Sequence, residues 1–208
     1  MTFSNLSVSD LSRREKLFHP DRHDLVLASA GALLYFLVGL AGYFAPTGSV
    51  IIKPAAAVLI FFGTLFGPVV GFAAGLFGGF LLDLALGSIW LHWNVGTGII
   101  GLIAGLQWLY ADIDKKKSLE GSDIVNIALF TVLGSFIGMF FAGIVDLFLG
   151  APAAIALLDW AIPAAISNAV FGVVFGPLLI HLYKIYNART SARTAAKTTP
   201  RRTIRRMP

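Results

Sequence analysis

The chain contains no cysteine and little charge. Among its 208 residues, Asp, Glu, Lys and Arg together make up 13%, whereas hydrophobic residues make up 57%. The absence of cysteine excludes disulfides and thiolate metal sites. The shortage of charge excludes an ordinary soluble domain, because a chain of this length could not bury so much apolar surface. The sequence therefore predicts an integral membrane protein.

Motifs for catalysis are also missing. The chain has no G-x-S-x-G turn, no H-E-x-x-H helix and no Walker lysine motif. His92 does not predict a metal site, because His181 is expected on the opposite side of the membrane. The net charge of +5 does not indicate nucleic-acid binding, since the positions of the basic residues explain it better. We therefore expect no enzyme activity, no cofactor, no metal and no nucleic-acid partner.

The basic residues lie in three groups. Four precede the first apolar run, three are the consecutive lysines 115–117, and eight follow from Lys184 onward, so that only Lys53 lies elsewhere. By the positive-inside rule these three groups face the cytoplasm. Because both ends of the blocks 25–110 and 122–183 then lie on the cytoplasmic side, each block must cross the membrane an even number of times. The length of the first block fits four spans, and the length of the second fits two. We predict an all-α bundle of six transmembrane helices in the cell membrane, with both termini in the cytoplasm.

This topology divides the chain into three parts. Residues 1–24 are predicted to form a cytoplasmic N-terminal arm, and residues 25–186 the six-helix membrane domain. Residues 187–208 are basic and carry no acidic residue. We expect this last part to be a disordered cytoplasmic tail that is attracted to anionic lipid headgroups of the bilayer.

The segment 65–87 predicts a helix that packs inside the bundle. Gly67, Gly71, Gly75 and Gly79 recur at every fourth position, which places them on one helical face. In lipid, small residues on such a face allow close helix–helix contact. The pattern returns at 134–150, where Asp146 takes the place of Asp83, and internal homology or shared composition explains the match equally well. In either case we expect the two carboxylates at similar depth near the outer surface.

Polar and aromatic residues collect at the expected outer ends of the helices. The candidate substrate-binding residues are Lys53, Asp83, Trp90, His92, Trp93, Asn94, Asp146, Asp159, Trp160 and Asn168. Together they supply stacking surfaces and hydrogen bonds for a flat ligand. Each also has an ordinary alternative role, such as a hydrated carboxylate, a snorkelling lysine, an interfacial tryptophan or an interhelical asparagine. Because three carboxylates outnumber one lysine, we expect a neutral or cationic heterocycle.

Three stretches resemble the substrate-binding S components of energy-coupling factor (ECF) transporters. They are KPAAAVLIFFGTLFGPVVGFAAGLFGGFLLDL (53–84), WNVGTGIIGLIAGL (93–106) and N-x-x-x-G-x-x-x-G-P (168–177). The resemblance covers about residues 25–186 and implies capture of a vitamin or a related micronutrient from outside. It also implies a membrane coupling protein and two cytoplasmic ATPases as separate partners. Outward loops gate the site in this family, and here they are about 45–53, 87–93 and 150–160.

The resemblance carries two further implications. The family's coupling motif is a pair of alanines four residues apart on the first helix, and Ala28 and Ala32 match it. A histidine ligand near the N-terminus typifies the metal-transporting branch, whereas this chain begins MTFSNLS, which favours a vitamin-type ligand.

Two other functions are compatible with the sequence. One is a self-sufficient channel or ion- or proton-coupled carrier that uses Asp83 and Asp146, and the other is a structural membrane protein without a ligand. The capture subunit is favoured because polar groups collect at the outer end only, which leaves no charged path through the inner half.

Overall fold

The computed structural model describes residues 21–43 and 52–198, and this part of the chain is all-helical, with no strand. The rest of the chain lies outside this description, including most of the expected N-terminal arm, most of the first outward loop and the end of the tail. The α-helices, in chain order, are α1 (Arg22–Tyr43), α2 (Ala56–Phe66), α3 (Pro68–Leu86), α4 (Leu91–Gly105), α5 (Gly121–Phe148) and α6 (Ile162–Thr198). A 3₁₀ turn, Leu106–Leu109, extends α4, and a π-helical segment, Ala154–Ala161, leads into α6.

Successive helices run in opposite directions between two ends of the molecule. α3, for example, begins at Pro68 beside Asp24 and Trp108, and it finishes beside Trp90. We call the end that contains Trp90, Trp93 and Trp160 the tryptophan end. The opposite end, which contains Lys115, Lys116, Lys117 and Lys184, is the basic end.

Several helices are suited to crossing a membrane. By length and composition, four segments of the described chain qualify: Arg22–Tyr43, Pro68–Leu86, Gly121–Phe148 and Ala154–Ser191. α2 has only 11 residues, a length of about 17 Å at the rise of an α-helix. The protein is therefore a multi-pass membrane protein, while six crossings and cytoplasmic termini stay predictions.

The shortest α-helix is also the most deeply buried. Leu59 and Ile60 of α2 are fully buried, whereas large apolar side chains on α1, α5 and α6, such as Leu33, Ile137 and Val174, are exposed. An apolar exterior of this kind suits lipid rather than water. The longer helices thus surround α2 and carry the surface that contacts the bilayer.

α3 and α4 pack backbone against backbone through what we call the glycine seam, which consists of Gly71 and Gly75 on α3 and Gly98 and Gly101 on α4. A Cβ atom at position 75 would lie 2.8 Å from the Cα of Gly98, and one at position 71 would clash with the backbone of Gly101. The prediction that the regularly spaced glycines face a neighbouring helix is confirmed. Gly67, with φ 100°, makes the turn that brings α3 back along α2.

Three local expectations from the sequence are wrong. α6 continues to Thr198, so residues 187–198 are helical rather than disordered; between Pro177 and Pro200 the chain has no glycine or proline that would stop a helix. The expected outward loop at about 150–160 is largely occupied by the π-helical segment Ala154–Ala161. α4 begins at Leu91, so His92 and Trp93 lie in its first turn rather than in a loop.

At the basic end, α6 holds the connection between α4 and α5. The buried Lys184 donates hydrogen bonds to the backbone carbonyls of Ile113 and Lys116. Lys116 in turn forms an ion pair with Asp123, with 2.8 Å between Nζ and Oδ1. The hydrogen bond to Asp123 raises the pKa of Lys116. These contacts fix the interhelical segment against α6 far from the tryptophan end.

Candidate substrate-binding site

A cavity of about 390 Å³ lies at the tryptophan end, and its volume is typical of pockets for small organic molecules. Helices α1, α3, α4, α5 and α6, together with the segments that precede α2, α4 and α6, form its walls. The lining residues are Tyr35, Lys53, Gly79, Leu82, Asp83, Trp90, Trp93, Asn94, Thr97, Met139, Trp160, Ala164 and Asn168.

The cavity includes seven of the ten residues that the sequence singles out for binding. They are Lys53, Asp83, Trp90, Trp93, Asn94, Trp160 and Asn168. His92, Asp146 and Asp159 are not among the lining residues. The structure thus brings most of the predicted site together, while a role of each residue in ligand binding stays a prediction.

Asp83 links the end of α3 to the start of α4. Its Oδ2 atom accepts a hydrogen bond from the backbone N–H of Trp90 at 2.7 Å and another from Asn94 Nδ2 at 2.8 Å. Gly87 makes this possible, because its left-handed conformation (φ 78°) ends α3 and turns the chain back toward Asp83. Asp83 therefore positions two lining residues as well as bordering the cavity itself.

Asp146 of α5 also contacts the start of α4. Its carboxylate is buried and lies 2.7 Å from His92 Nε2, and it accepts a hydrogen bond from Trp93 Nε1 at 2.9 Å. Asp83 and Asp146 thus both contact residues 90–94, which confirms that they lie at similar depth. They differ in access, because Asp146 is enclosed behind the cavity wall.

The charge balance of the cavity differs from the one expected. Asp146 is buried by its own partners, and Asp159 is exposed outside the cavity. Among the described residues that line the cavity, only Lys53 and Asp83 are charged. The expectation of a neutral or cationic ligand, which rested on three carboxylates against one lysine, therefore has a wrong premise. Chain position alone did not show which carboxylates the fold turns away from the cavity.

Six lining residues were not among the predicted binding residues, and three of them (Tyr35, Thr97 and Met139) had a recognisable signal in the sequence. Thr97 lies one helical turn after Trp93, and it donates a hydrogen bond to the Trp93 carbonyl at 2.9 Å. Met139 lies two turns before Asp146 on the same face of α5. The spacing of Thr97 from Trp93 and of Met139 from Asp146 would have indicated that both residues belong to the site. Tyr35 had a different signal, as a polar aromatic residue within an otherwise apolar span.

Ala28 and Ala32 are buried inside the bundle. They lie on the face of α1 that meets α3, where the backbone carbonyl of Ala32 packs against Gly78. Their predicted contact with a coupling subunit is untested, but in the structure their side chains face the chain's own helices. The neighbouring Ser29 and Ala30 are exposed on the other face of α1.

One group of potential metal ligands lies at the basic end. Ligand atoms of Asp21, His23 and Asp24 lie within 4.8 Å of one another. The two carboxylates already cap the start of α1: the Asp24 N–H donates to Asp21 Oδ1 at 2.9 Å, and the Asp21 N–H donates to Asp24 Oδ2 at 3.2 Å. Helix capping explains this exposed group without a metal.

Comparisons with known proteins agree with the resemblance seen in the sequence. A family model described as "ECF-type riboflavin transporter, S component" matches residues 22–185. A UPF0397 protein of Vibrio atlanticus (strain LGP32) is 38% identical over 112 residues, which are 52% of this chain and 60% of that relative. The chain thus matches about 60% of the length of that curated relative. No solved structure matches.

The family assignment rests on the length of the first match. The family model extends over all six helices, from the start of α1 into α6. The family is one of transporter components that bind substrate, not of enzymes. The chain belongs to the family of ECF-type riboflavin transporter S components.

Proposed function

We propose that the protein is the substrate-capture subunit of an ECF importer. Its ligand would be a vitamin or a related small heterocyclic micronutrient, bound in the cavity at the tryptophan end. The observation that carries this proposal is the cavity itself. Three tryptophans, a carboxylate, a lysine and two asparagines meet there in one concave site of suitable volume.

The lining offers two kinds of contact to a flat ligand. Trp90 and Trp160 are 49% and 40% exposed, so their rings are available for stacking. Asn94 and Asn168 are buried in the wall, where their amide groups offer directional hydrogen bonds. Stacking supplies affinity for a planar ring, and the amides distinguish one ring from another.

The remaining parts of the transporter would lie on other chains. We propose that a membrane coupling protein joins this subunit to two cytoplasmic ATPases, which supply the energy for uptake. In this arrangement the tryptophan end faces outward, and the basic end and both termini face the cytoplasm, in agreement with the positive-inside rule. Because Ala28 and Ala32 are buried, a partner that docks on α1 would first meet the exposed Ser29 and Ala30.

No observation favours the alternative of a self-sufficient carrier or channel. Asp146 is buried between His92 and Trp93. Asp83 holds the start of α4. Both carboxylates that such a carrier would need therefore have structural partners at one end of the molecule.

Ligand identification tests the proposal most directly. The full-length protein is purified in detergent, and mass spectrometry identifies any small molecule that is released on denaturation. Titration of that molecule should change the tryptophan emission. A Trp160→Phe variant should show a smaller change, and a Trp108→Phe variant, altered at the basic end, should respond as the wild type does. A ligand that leaves tryptophan emission unchanged would contradict the proposed site.

Transport assays separate the capture subunit from the carrier. Liposomes that contain this protein alone should not accumulate the identified molecule. Addition of the coupling protein, the ATPases and ATP should start uptake. Uptake without the partners would support the self-sufficient carrier instead.

A further inference from the structure

We propose that the captured molecule carries an acidic group, a carboxylate or a phosphate, and that Lys53 binds this group beside the tryptophan-lined part of the cavity. The inference rests on the proposed function and adds a substrate class to it. It replaces the expectation of a neutral or cationic ligand, whose premise the structure overturns.

Lys53 is held at the cavity by its backbone N–H. The Lys53 N–H donates a hydrogen bond to Ser167 Oγ at 2.9 Å, which places the residue next to Asn168 of α6. Its side chain lines the cavity. Within residues 21–43 and 52–198, no group accepts a hydrogen bond from Lys53 Nζ, and no acidic side chain forms an ion pair with it.

The chain offers Lys53 few carboxylates as partners. The adjoining segment 44–51 reads FAPTGSVI and contains no acidic residue. Asp146 is enclosed by His92 and Trp93, and Asp159 lies outside the cavity. Asp83 is near enough for its charge to act on Lys53, yet the two do not pair directly. Lys53 thus has no direct carboxylate partner among the described residues. Burial lowers the pKa of its ammonium group, and an acidic group in the cavity would favour the charged form.

An unpaired charge is unfavourable in a narrow, partly apolar site. An ammonium group that loses water on ligand entry must gain a hydrogen-bond acceptor, or binding is weakened. An ionised acceptor gives the shorter and stronger hydrogen bond. A lysine acts as a point charge and suits either a carboxylate or a phosphate. The ring of the same molecule would then stack on the tryptophans.

Ring-matched probes test this inference. Riboflavin and flavin mononucleotide share one ring system and differ in a phosphate, while 6-hydroxymethylpterin and pterin-6-carboxylate share another and differ in a carboxylate. Binding of each probe is measured by tryptophan emission in the wild type, Lys53→Gln, Lys53→Arg and the control Lys115→Gln. Lys115 is an exposed residue at the basic end.

We expect the acidic member of at least one pair to bind about tenfold more tightly than its neutral member to the wild type. Lys53→Gln should abolish this preference, whereas Lys53→Arg and Lys115→Gln should retain it. Equal affinity within both pairs, or an acid preference that survives in Lys53→Gln, would overturn the inference. Loss of acidic-probe binding on addition of phosphatidylglycerol would also overturn it, because Lys53 would then contact lipid headgroups.

The co-purified ligand distinguishes failure of this inference from failure of the proposed function. A released molecule without an acidic group would overturn the role of Lys53 and leave the capture function in place. If no molecule is released and none of the four probes changes tryptophan emission, both proposals fail together.

Discussion

Asp83 and Asp146 occupy matching positions near the ends of α3 and α5, but their surroundings differ. Asp83 borders the cavity and bonds the N–H of Trp90 and the amide of Asn94. Asp146 is buried and bonds His92 and Trp93. One carboxylate can therefore meet a ligand, and the other fixes the wall that the ligand touches.

Replacement of Asp83 by asparagine should weaken ligand binding. The neutral amide is a poorer acceptor for the two N–H groups that Asp83 positions, so both Trp90 and Asn94 lose a charge-assisted hydrogen bond. We expect about a tenfold or greater loss of affinity for the co-purified ligand, measured by tryptophan-fluorescence titration. Asp159→Asn is the control, since Asp159 is exposed outside the cavity. An equal loss in both variants would refute the special role of Asp83.

For individual residues, the sequence predicts which residues form the site better than it predicts their hydrogen-bond partners. Trp90, Trp93 and Asn94 stand out because a dense polar and aromatic cluster interrupts an apolar chain. The bonds from Asp146 to residues 92 and 93 join positions more than fifty residues apart. That pairing depends on the packing of α5 against α4, so it could not be predicted from the order of residues along the chain.

Among the elements, α3 and α4 depend on the glycine seam for their contact. Gly75→Ala should destabilise the protein, because the new Cβ would lie 2.8 Å from the Gly98 backbone, which cannot yield as a side chain can. We expect a loss of about 1–3 kcal/mol in unfolding free energy, measured by thermal unfolding in detergent. Gly121→Ala is the matched control. No atom lies within 4 Å of its added Cβ, so the higher helix propensity of alanine should leave it at least as stable as the wild type.

Lys184 provides a second test at the level of elements. Lys184→Met should leave the carbonyls of Ile113 and Lys116 without their buried donor, at a cost of about 1–3 kcal/mol per unsatisfied group. Lys115→Met removes only an exposed ion pair with Asp112, and we expect it to change stability little. Chemical denaturation of both variants gives the comparison, and similar midpoints would contradict a structural role for Lys184.

Helix positions follow from the sequence where apolar runs end at glycine or proline. Gly67 and Pro68 separate α2 from α3, and Gly87 ends α3. The π-helical segment Ala154–Ala161 was not predictable in the same way. Its apolar residues fit a loop at the interface, an α-helix or a wider helix equally well, and the packing against α5 decides between them.

For the whole molecule, the orientation in the membrane is the main prediction left to test. The chain has no cysteine, so single cysteines can report on each end. Ser88 is exposed at the tryptophan end and Ser118 at the basic end. On intact cells, a membrane-impermeant maleimide should label Ser88→Cys and leave Ser118→Cys unlabelled until the cells are opened. The reverse pattern would invert the proposed topology and place the cavity on the cytoplasmic side.

The glycine seam also determines which part of the molecule should open last. Amide hydrogens exchange with solvent deuterium only when their helix opens, and a contact without side chains leaves no space for solvent between the two backbones. We expect the amides of residues 71–75 and 98–101 to show the slowest exchange in the protein. Residues 187–198, which extend α6 beyond the bundle, should exchange fastest among the helical segments. Mass spectrometry of peptides after timed exposure to deuterium oxide would give this order, and rapid exchange at the seam would show that α3 and α4 separate readily.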